Sequence, residues 1–294
     1  MGWVIAAVVL TYDPPPGMLE DCLAALRTER ADDAVQVIVV DNGGRVSRLP
    51  PELLAGVDLC ISGSNLGFAG GMNLGIQRAL AHGATAIMIL NDDVAVQPGW
   101  LGPLVAELDG ERVGAVQPKL LFASELPTVN SLGVMLGNDG AGTDIGMHSP
   151  DDPTDLLPRD LGIFTGGAVL LSAAFARATG GFDPRFFLYY EDVDLALRGA
   201  ELGWRYRLAP ASRVCHRGSA TMASVGDRAV FFRERNRVWV LFRHRPWGDV
   251  RRGLWLSVRR LRWAPRGAHV SALLRGLVAA PRLVLDRRRH RKSL

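Results

Sequence analysis

The sequence predicts an α/β fold of three layers, with helices on both faces of a mostly parallel central sheet and a basic helical extension at the C-terminus. Three observations carry this reading. Apolar runs alternate with amphipathic segments through the first half, the βαβα pattern of a parallel sheet. Carboxylates stand where those apolar runs end. An acidic body is joined to a basic tail: from Arg243 onward there are 14 Arg and Lys292 against Asp249 and Asp286, while the residues before hold 19 basic against 28 acidic side chains.

Residues 4–10 form an apolar first strand. Residues 18–30 read as a helix, with Leu19, Cys22, Leu23 and Leu26 at helical spacing. Strands are expected at 35–40, Val57–Ile61 and 86–90. Helices are expected at 69–81, closed by Gly83, and at 98–108, opened by Pro98. Residues 138–160, rich in Gly, Asp and Pro, read as a long surface loop of the kind that often acts as a lid or binding loop. Beyond it lie the apolar run 164–172, a helix at 191–202 ending at Gly203, a strand at 205–208, strand-like Ser212-Arg-Val-Cys215, and helical 227–244. The expected organisation is a catalytic domain over 1–225, its nucleotide-binding half at about 1–110 and its acceptor half at about 111–225, followed by a basic amphipathic helical region over 226–294.

Composition excludes several classes. Cys22, Cys60 and Cys215 are odd in number and form no CxxC pair, so neither a disulfide framework nor a zinc site is expected, and a reducing cytosol fits. The N-terminus lacks a basic leader and a small-residue cleavage site, so it reads as a strand and not a signal peptide. The longest apolar stretch, 161–176, is short of a membrane span and broken by glycines, so no transmembrane helix is expected.

Three acidic stations suggest chemistry. Asp41 closes the run 35–40, Asp92 and Asp93 follow 86–90, and Glu191-Asp192 opens a helix. Ligands of open α/β sheets bind outside the carboxyl ends of the strands. Hard divalent cations prefer carboxylate oxygen. Such a site can hold a metal, a nucleotide and a base, which points to group transfer from an activated donor. Each element also has a plainer explanation: a solvated Asp pair in a turn, a turn Asp at 41, ordinary acidic residues at a helix start.

In order along the chain, the motifs Val9-Leu-Thr-Tyr12, Val39-Val-Asp-Asn-Gly43, Asn65-Leu-Gly-Phe-Ala-Gly-Gly-Met-Asn-Leu-Gly75, Leu90-Asn-Asp-Asp-Val94, Gly166-Gly167, Gly181-Phe-Asp-Pro-Arg-Phe186, Glu191-Asp-Val-Asp194 and His216 resemble those of the inverting family 2 glycosyltransferases of GT-A fold, in particular the rhamnosyltransferase-like bacterial branch. The resemblance spans roughly residues 4–239. It implies a metal-dependent transfer of a sugar, rhamnose in that branch, from a nucleotide-diphosphate donor to a hydroxyl of a cell-wall or exopolysaccharide glycan carried on a lipid.

The resemblance also implies roles. Asp93 would be the ligand of Mg²⁺ or Mn²⁺, with Asp92 nearer the ribose or a bound water; the triplet here is Asn91-Asp92-Asp93, with an amide for the first carboxylate. His216 would ligate the metal or contact the diphosphate, unless it is a structural histidine. Asp192 would be the catalytic base and Glu191 would orient the acceptor. Asp41 would accept from a base edge, with Thr11 and Tyr12 as the neighbouring wall. Asn65, Gly70 and Asn73 would lie at the donor, where helix-start N–H groups can meet phosphate or ribose; the glycine spacing is not GxGxxG, so a dehydrogenase fingerprint is absent. Gly166, Gly167 and Tyr190 would lie at the acceptor, the glycines through close backbone approach and the aromatic run 186–190 as a platform or as core.

Arginines interleaved with Trp247, Trp255 and Trp263 in residues 243–294 fit an anionic inner-membrane surface, which places the protein peripherally at the cytoplasmic face. Nucleic-acid binding and partner docking compete for the same feature, the former less favoured. Arg259-Arg-Leu-Arg-Trp263 lacks the Gln of the processive QxxRW motif. The reading from another class is a non-catalytic sugar-nucleotide scaffold docked to membrane or nucleic acid by its tail.

Overall fold

The computed structural model describes residues 3–28, 35–44, 46, 50–124, 127–217, 220–262 and 266–290. Trp263 and Lys292, the end of the helix expected at 18–30, and residues 291–294 of the tail lie outside them.

The chain runs β1 (Ile5–Thr11), α1 (Met18–Thr28), β2 (Val35–Asp41), β3 (Val57–Ile61), α2 (Gly67–Ala81), β4 (Ala86–Asn91), β5 (Val94–Val96), α3 (Leu101–Leu108), β6 (Val113–Phe122), β7 (Thr128–Ser131), β8 (Val134–Leu136), β9 (Gly142–Asp144), β10 (Arg159–Leu161), β11 (Ala168–Ser172), α4 (Ala173–Thr179), α5 (Glu191–Glu201), β12 (Arg205–His216), α6 (Ala220–His244), α7 (Trp247–Arg260) and α8 (Arg266–His290). The main sheet is ordered β10-β12-β6-β11-β4-β1-β2-β3, with β5 on β12 and β7 on β6. Strands β1, β2, β3, β4, β6 and β12 point one way; β5, β7, β10 and β11 point the other. The sheet is thus mixed but mostly parallel, as its near-continuous apolar strands require.

Both faces of β1 are buried. Ala6, Val8 and Leu10 face a core shared with α2, α4, α5 and α6, while Ile5, Ala7 and Val9 face one shared with α1 and α3. Helix α2 lies close on the sheet at Gly75, where a Cβ would stand 2.2 Å from Val8 Cγ1. Helix α6 places Val238, Val240, Leu241 and Phe242 in the same core as Ile87, Ile89 and Phe164.

A buried ionic hub ties α5 to α6. Asp194 is fully buried and accepts from Arg198 Nε at 2.8 Å and Arg243 Nη1 at 3.0 Å, and meets His244 Nε2 at 2.9 Å. Burial opposes its charge, but His244, Arg198 and Arg243 overcome that and hold its carboxyl far below the usual range. A second hub of Glu234, Arg237, Ser257 and Arg260 joins α6 to α7.

Several expectations are corrected. The strand-like segments 205–208 and 212–215 are one strand, β12, with a register shift between Ala209 and Arg213. Strand β6 is not evident in the sequence because Gln117, Pro118 and Lys119 interrupt its apolar pattern. Those polar groups have buried partners: Gln117 Oε1 accepts from Thr165 N at 2.9 Å, and Lys119 Nζ meets Asp151 Oδ1 at 3.1 Å. Residues 138–160 are not an unstructured loop; they carry β9 and the start of β10 and are anchored by Lys119, Arg213 and Arg159 on Asp151 and Asp155. Helix α3 begins at Leu101, after Pro98, and α4 follows β11 without a break, capped by the Ser172 hydroxyl. Against the expectation of no membrane-length helix, Gly267–Asp286 in α8 is long and apolar enough to cross a membrane by length and composition. One side of it packs on α6 through Ala272, Gly276, Ala280 and Leu283, and the other presents Leu274, Val278 and Leu285 to solvent.

Candidate active site

Parallel pairing of β1 with β2 and β4 sets Thr11 beside Asp41 and Leu10 beside Asn91, so the expected donor residues share one edge of the sheet. Thr11 Oγ1 donates to Asp92 Oδ2 at 2.5 Å. Burial raises Asp92 to about 6, against the Thr11 bond and with help from neighbouring Asp93.

Asp93 is brought to His216 by the antiparallel pairing of β5 with β12, which sets His216 opposite Val94. Asp93 Oδ2 lies 3.1 Å from His216 Nε2, and the Arg217 N–H donates to the Asp93 carbonyl at 2.8 Å. Asp93 Oδ1 and His216 Nδ1 are buried without a hydrogen-bond partner. Two ligands of one small divalent cation, each roughly 2.0–2.2 Å from it, stand about 3 Å apart at a right angle. The pair therefore fits a metal. Among the described residues no group of three or more His, Cys, Asp or Glu is placed to hold such an ion together.

Asp192 stands in the first turn of α5, where the helix dipole favours a carboxylate. Its Oδ2 accepts from Gly166 N at 2.9 Å and its Oδ1 from Val193 N at 2.8 Å. Burial nevertheless pushes its carboxyl above the usual aspartate range, and the Asp144 charge adds to that. Glu191 is buried, with Oε2 unpartnered, and burial followed by the Asp192 charge pushes it well above the usual range, so the neutral acid is favoured.

The other expected residues divide. Tyr12 is 51% exposed and covers the backbone of Gly43, presenting a ring at the mouth of the site. Asp41 is buried and shapes its own loop: Oδ1 accepts from Gly43 N at 3.1 Å and Gly44 N at 2.7 Å, Oδ2 from Val46 N at 2.9 Å. Asn65 Oδ1 accepts from Gly67 N at 2.8 Å and so turns the chain into α2. Gly70 is needed by that turn, since a Cβ would stand 2.9 Å from Leu66 Cβ. Asn73 reaches across to the loop before α5. Its amide meets Phe182, accepting from its N at 2.9 Å and donating to its carbonyl at 2.7 Å, which braces α2 against the Gly181-Phe-Asp motif. Gly166 lies between Phe68 and Asp192, and a Cβ on Gly167 would meet Asn91 Nδ2 at 3.9 Å. The Tyr190 hydroxyl accepts from Gly142 N at 3.1 Å, tying Tyr190 to the β8–β9 hairpin.

To two further residues at the site the sequence motifs assign no role. Asn42 is buried beside Asp41; its Oδ1 accepts from Leu66 N at 2.9 Å and its Nδ2 donates to the Gly67 carbonyl at 3.1 Å, fixing the turn into α2. Asp144, in β9, faces Asp192, His216 and Arg233; burial raises it, while the Ser131 hydroxyl, His216 and Arg233 draw it down. A single Asp in a Gly-rich stretch has no telling spacing, so only the return of the hairpin over α5 identifies it.

Residues 6–143 match the family described as Glycosyl transferase family 2, and residues 86–281 match Glycosyl transferase family group 2. The N-acetylglucosaminyl-diphospho-decaprenol L-rhamnosyltransferase of Mycobacterium tuberculosis (strain ATCC 25618 / H37Rv) is 28% identical over 319 residues, covering 98% of this chain and 97% of that protein. The dTDP-rhamnosyl transferase RfbF of Shigella flexneri is 24% identical over 77% of this chain and 71% of its own length. A crystal structure of GalNAc-T7 with UDP, GalNAc and Mn²⁺ is similar at a TM-score of 0.72 and 16% identity, covering 98% of this chain; this chain spans 54% of that one. A mannosyltransferase of Pyrobaculum calidifontis in complex with GDP-Man and Mn²⁺ gives 0.54 at 14% identity, covering 99% and 74%. At such identity the likeness speaks to the fold, which with the mixed sheet and flanking helices is GT-A.

Proposed function

We propose, from the premise that the chain belongs to the family 2 glycosyltransferases, that it transfers a sugar with inversion from a nucleotide diphosphate to a hydroxyl of a lipid-linked glycan. The chain is a glycosyltransferase of the rhamnosyltransferase-like kind. The finer reading is ours: dTDP-rhamnose as donor and a polyprenyl-diphosphate glycan of cell-wall or exopolysaccharide synthesis as acceptor. The names of the mycobacterial and Shigella relatives support both.

The observation that carries the reading is the pairing of Asp93–His216 at the sheet edge with a hydrogen-bonded, base-competent Asp192 at the start of α5. The nucleotide base lies against Tyr12 and the loop that Asp41 organises. Asp92 and the turn of Asn65 and Gly70 approach the ribose and phosphates. Asp93 and His216 would hold Mg²⁺ or Mn²⁺. When bound, such an ion offsets the charge that grows on the departing diphosphate. Asp192 takes the proton of the acceptor hydroxyl as that oxygen bonds to the anomeric carbon and the bond to the diphosphate breaks. Glu191 stands beside it, its charge disfavoured by burial. Gly166, Gly167 and Tyr190 frame the acceptor.

The tail supports a position at the cytoplasmic face of a membrane. Trp247, Trp255, Leu274, Val278 and Leu285 are exposed among arginines in α7 and α8, a combination suited to an anionic lipid surface.

Calorimetric titration with dTDP, UDP and GDP, with and without Mn²⁺ or Mg²⁺, tests the donor site. A transfer assay from dTDP-rhamnose to a short-chain polyprenyl-diphosphate N-acetylglucosamine tests the reaction. Metal-dependent binding of one nucleotide class together with transfer is the expected result; folded protein that binds none of the three with either metal would overturn the reading.

A further inference from the structure

Directly before the candidate base, three bulky residues adopt backbone conformations that side chains disfavour. Phe187 has φ 66°, Tyr189 67° and Tyr190 67°, and Leu188 alone in this run keeps a negative φ. A Cβ in the left-handed region crowds the backbone, so the surrounding structure must hold this segment. The holder is on α6. Asn236 is fully buried, and its Nδ2 reaches the carbonyls of Phe186 at 2.9 Å, Leu188 at 2.9 Å and Tyr189 at 2.7 Å. Its Oδ1 accepts from Arg235 Nε at 2.8 Å, which fixes which end of the amide faces the loop. The Arg235 guanidinium lies over Trp239 at 4.2 Å and donates to the Phe186 carbonyl at 2.7 Å and that of Arg185 at 3.1 Å.

The held segment touches both halves of the site. The Phe187 carbonyl accepts from Ala69 N at 3.3 Å, and a Cβ on Gly67 would stand 2.3 Å from it, so the donor turn is built against this loop. Tyr190 is the residue from which α5 starts, one before Glu191 and two before Asp192.

We propose that Asn236 is a positioning residue for the transfer step: it clamps residues 187–190 in their left-handed turn and thereby sets Asp192 against Gly166 N and the incoming hydroxyl. The proposal rests on the reading of Asp192 as the base. The chemistry demands an amide at this length. Three inward carbonyls need donors, and the two N–H of the amide serve them, with Arg235 sharing the Phe186 carbonyl; a carboxylate would offer no donor, alanine would remove both, and glutamine would displace them by one methylene.

The test compares Asn236→Ala, Asn236→Gln and Asp192→Asn in full-length protein, with thermal melts to establish folding and the rhamnosyl-transfer assay run across pH. Folded N236A is expected to lose kcat by on the order of 10–100-fold, the cost of a misplaced catalytic group, a larger change than any loss of nucleotide affinity through the turn at Gly67. Its acid limb should move to higher pH, because Asp192 loses the Gly166 hydrogen bond that favours its charged form; Glu191, Asp144 and Arg233 are the charged or titratable groups nearby and stay in place. If N236A does not fold, N236Q, which keeps a buried amide, carries the same expectations. Wild-type kcat and an unmoved acid limb in the folded variant, with D192N inactive, would overturn the clamp alone. Transfer retained by D192N would overturn the base assignment, and the clamp's role with it.

Discussion

Asp93 and His216 meet at 3.1 Å because β5 and β12 run antiparallel, so the start of one strand and the end of the other, distant in sequence, deliver a carboxylate and an imidazole to one point. Each has a second polar atom buried without a partner. An ion held by the pair would sit against Asp93 Oδ2 and His216 Nε2.

Asp93→Ala should abolish metal-dependent nucleotide binding, and His216→Ala should weaken it by on the order of 10–100-fold, as expected for groups that hold or orient a bound ion. Calorimetry of the matching nucleotide with Mn²⁺ measures both. Equal affinity with and without metal in the wild type would remove the pair from the donor site.

Asp192→Asn should lower kcat by roughly 10²–10⁴-fold, the usual contribution of a general base, and leave donor binding intact. Because burial raises Asp192 and activity needs its ionised form, kcat should climb with pH through a limb lying above that of an ordinary aspartate. A flat profile through the acid range would count against the assignment.

Asp92→Asn should stabilise the metal-free protein. Asp92 is raised from 3.8 to about 6, so its folded form contributes stability below its unfolded value and loses it as pH rises through the folded one. At pH 7.5 the charged group opposes folding by up to ~2–3 kcal/mol, at ~1.4 kcal/mol for each pH unit between the two values. Thermal melts should show D92N melting above wild type at pH 7.5, with the difference gone below pH ~4.

Asp194→Ala should destabilise the fold by ~3–5 kcal/mol, since it strands Arg198, Arg243 and His244 in the interior. The hub has a pH window. Asp194 is depressed, so its contribution holds above its unfolded value and fades as pH falls toward the folded one. His244 is raised by Asp194 and Glu201 against the opposing effect of burial, so its contribution is complete below its unfolded value and fades as pH rises through the folded one. Denaturant midpoints measured across pH should show both limbs lost in the variant.

Val278→Glu and Leu285→Glu should reduce sedimentation with anionic vesicles while leaving the melting temperature unchanged, because both side chains are exposed on α8. Binding that persists unchanged in the double variant would detach these helices from the membrane reading.

Most of the site residues are legible in the sequence as chemistry but not as contacts. The apolar runs of β1, β2 and β4 end in Thr11, Asp41 and Asn91, and the α/β rule places such ends together. Nothing in spacing shows that Asn73 turns to Phe182, that Asp41 holds its own loop, or that Asp144 returns to Asp192. Strand β6 is hidden because Gln117 and Lys119 read as surface residues until Thr165 and Asp151 are placed beside them.

What the sequence determined by itself is local and periodic: which segments are strands and helices, which faces are apolar, and where carboxylates end a strand or open a helix. These follow from backbone geometry and the removal of apolar surface from water, which act over a few residues. What only the tertiary structure decided is the pairing of groups far apart in the chain: Asp93 with His216, Asp192 with Gly166, Asn236 with the backbone at 186–189. The reason is physical. A buried polar group must find a partner of matching geometry, and that partner is chosen by strand order and helix packing, not by distance along the chain.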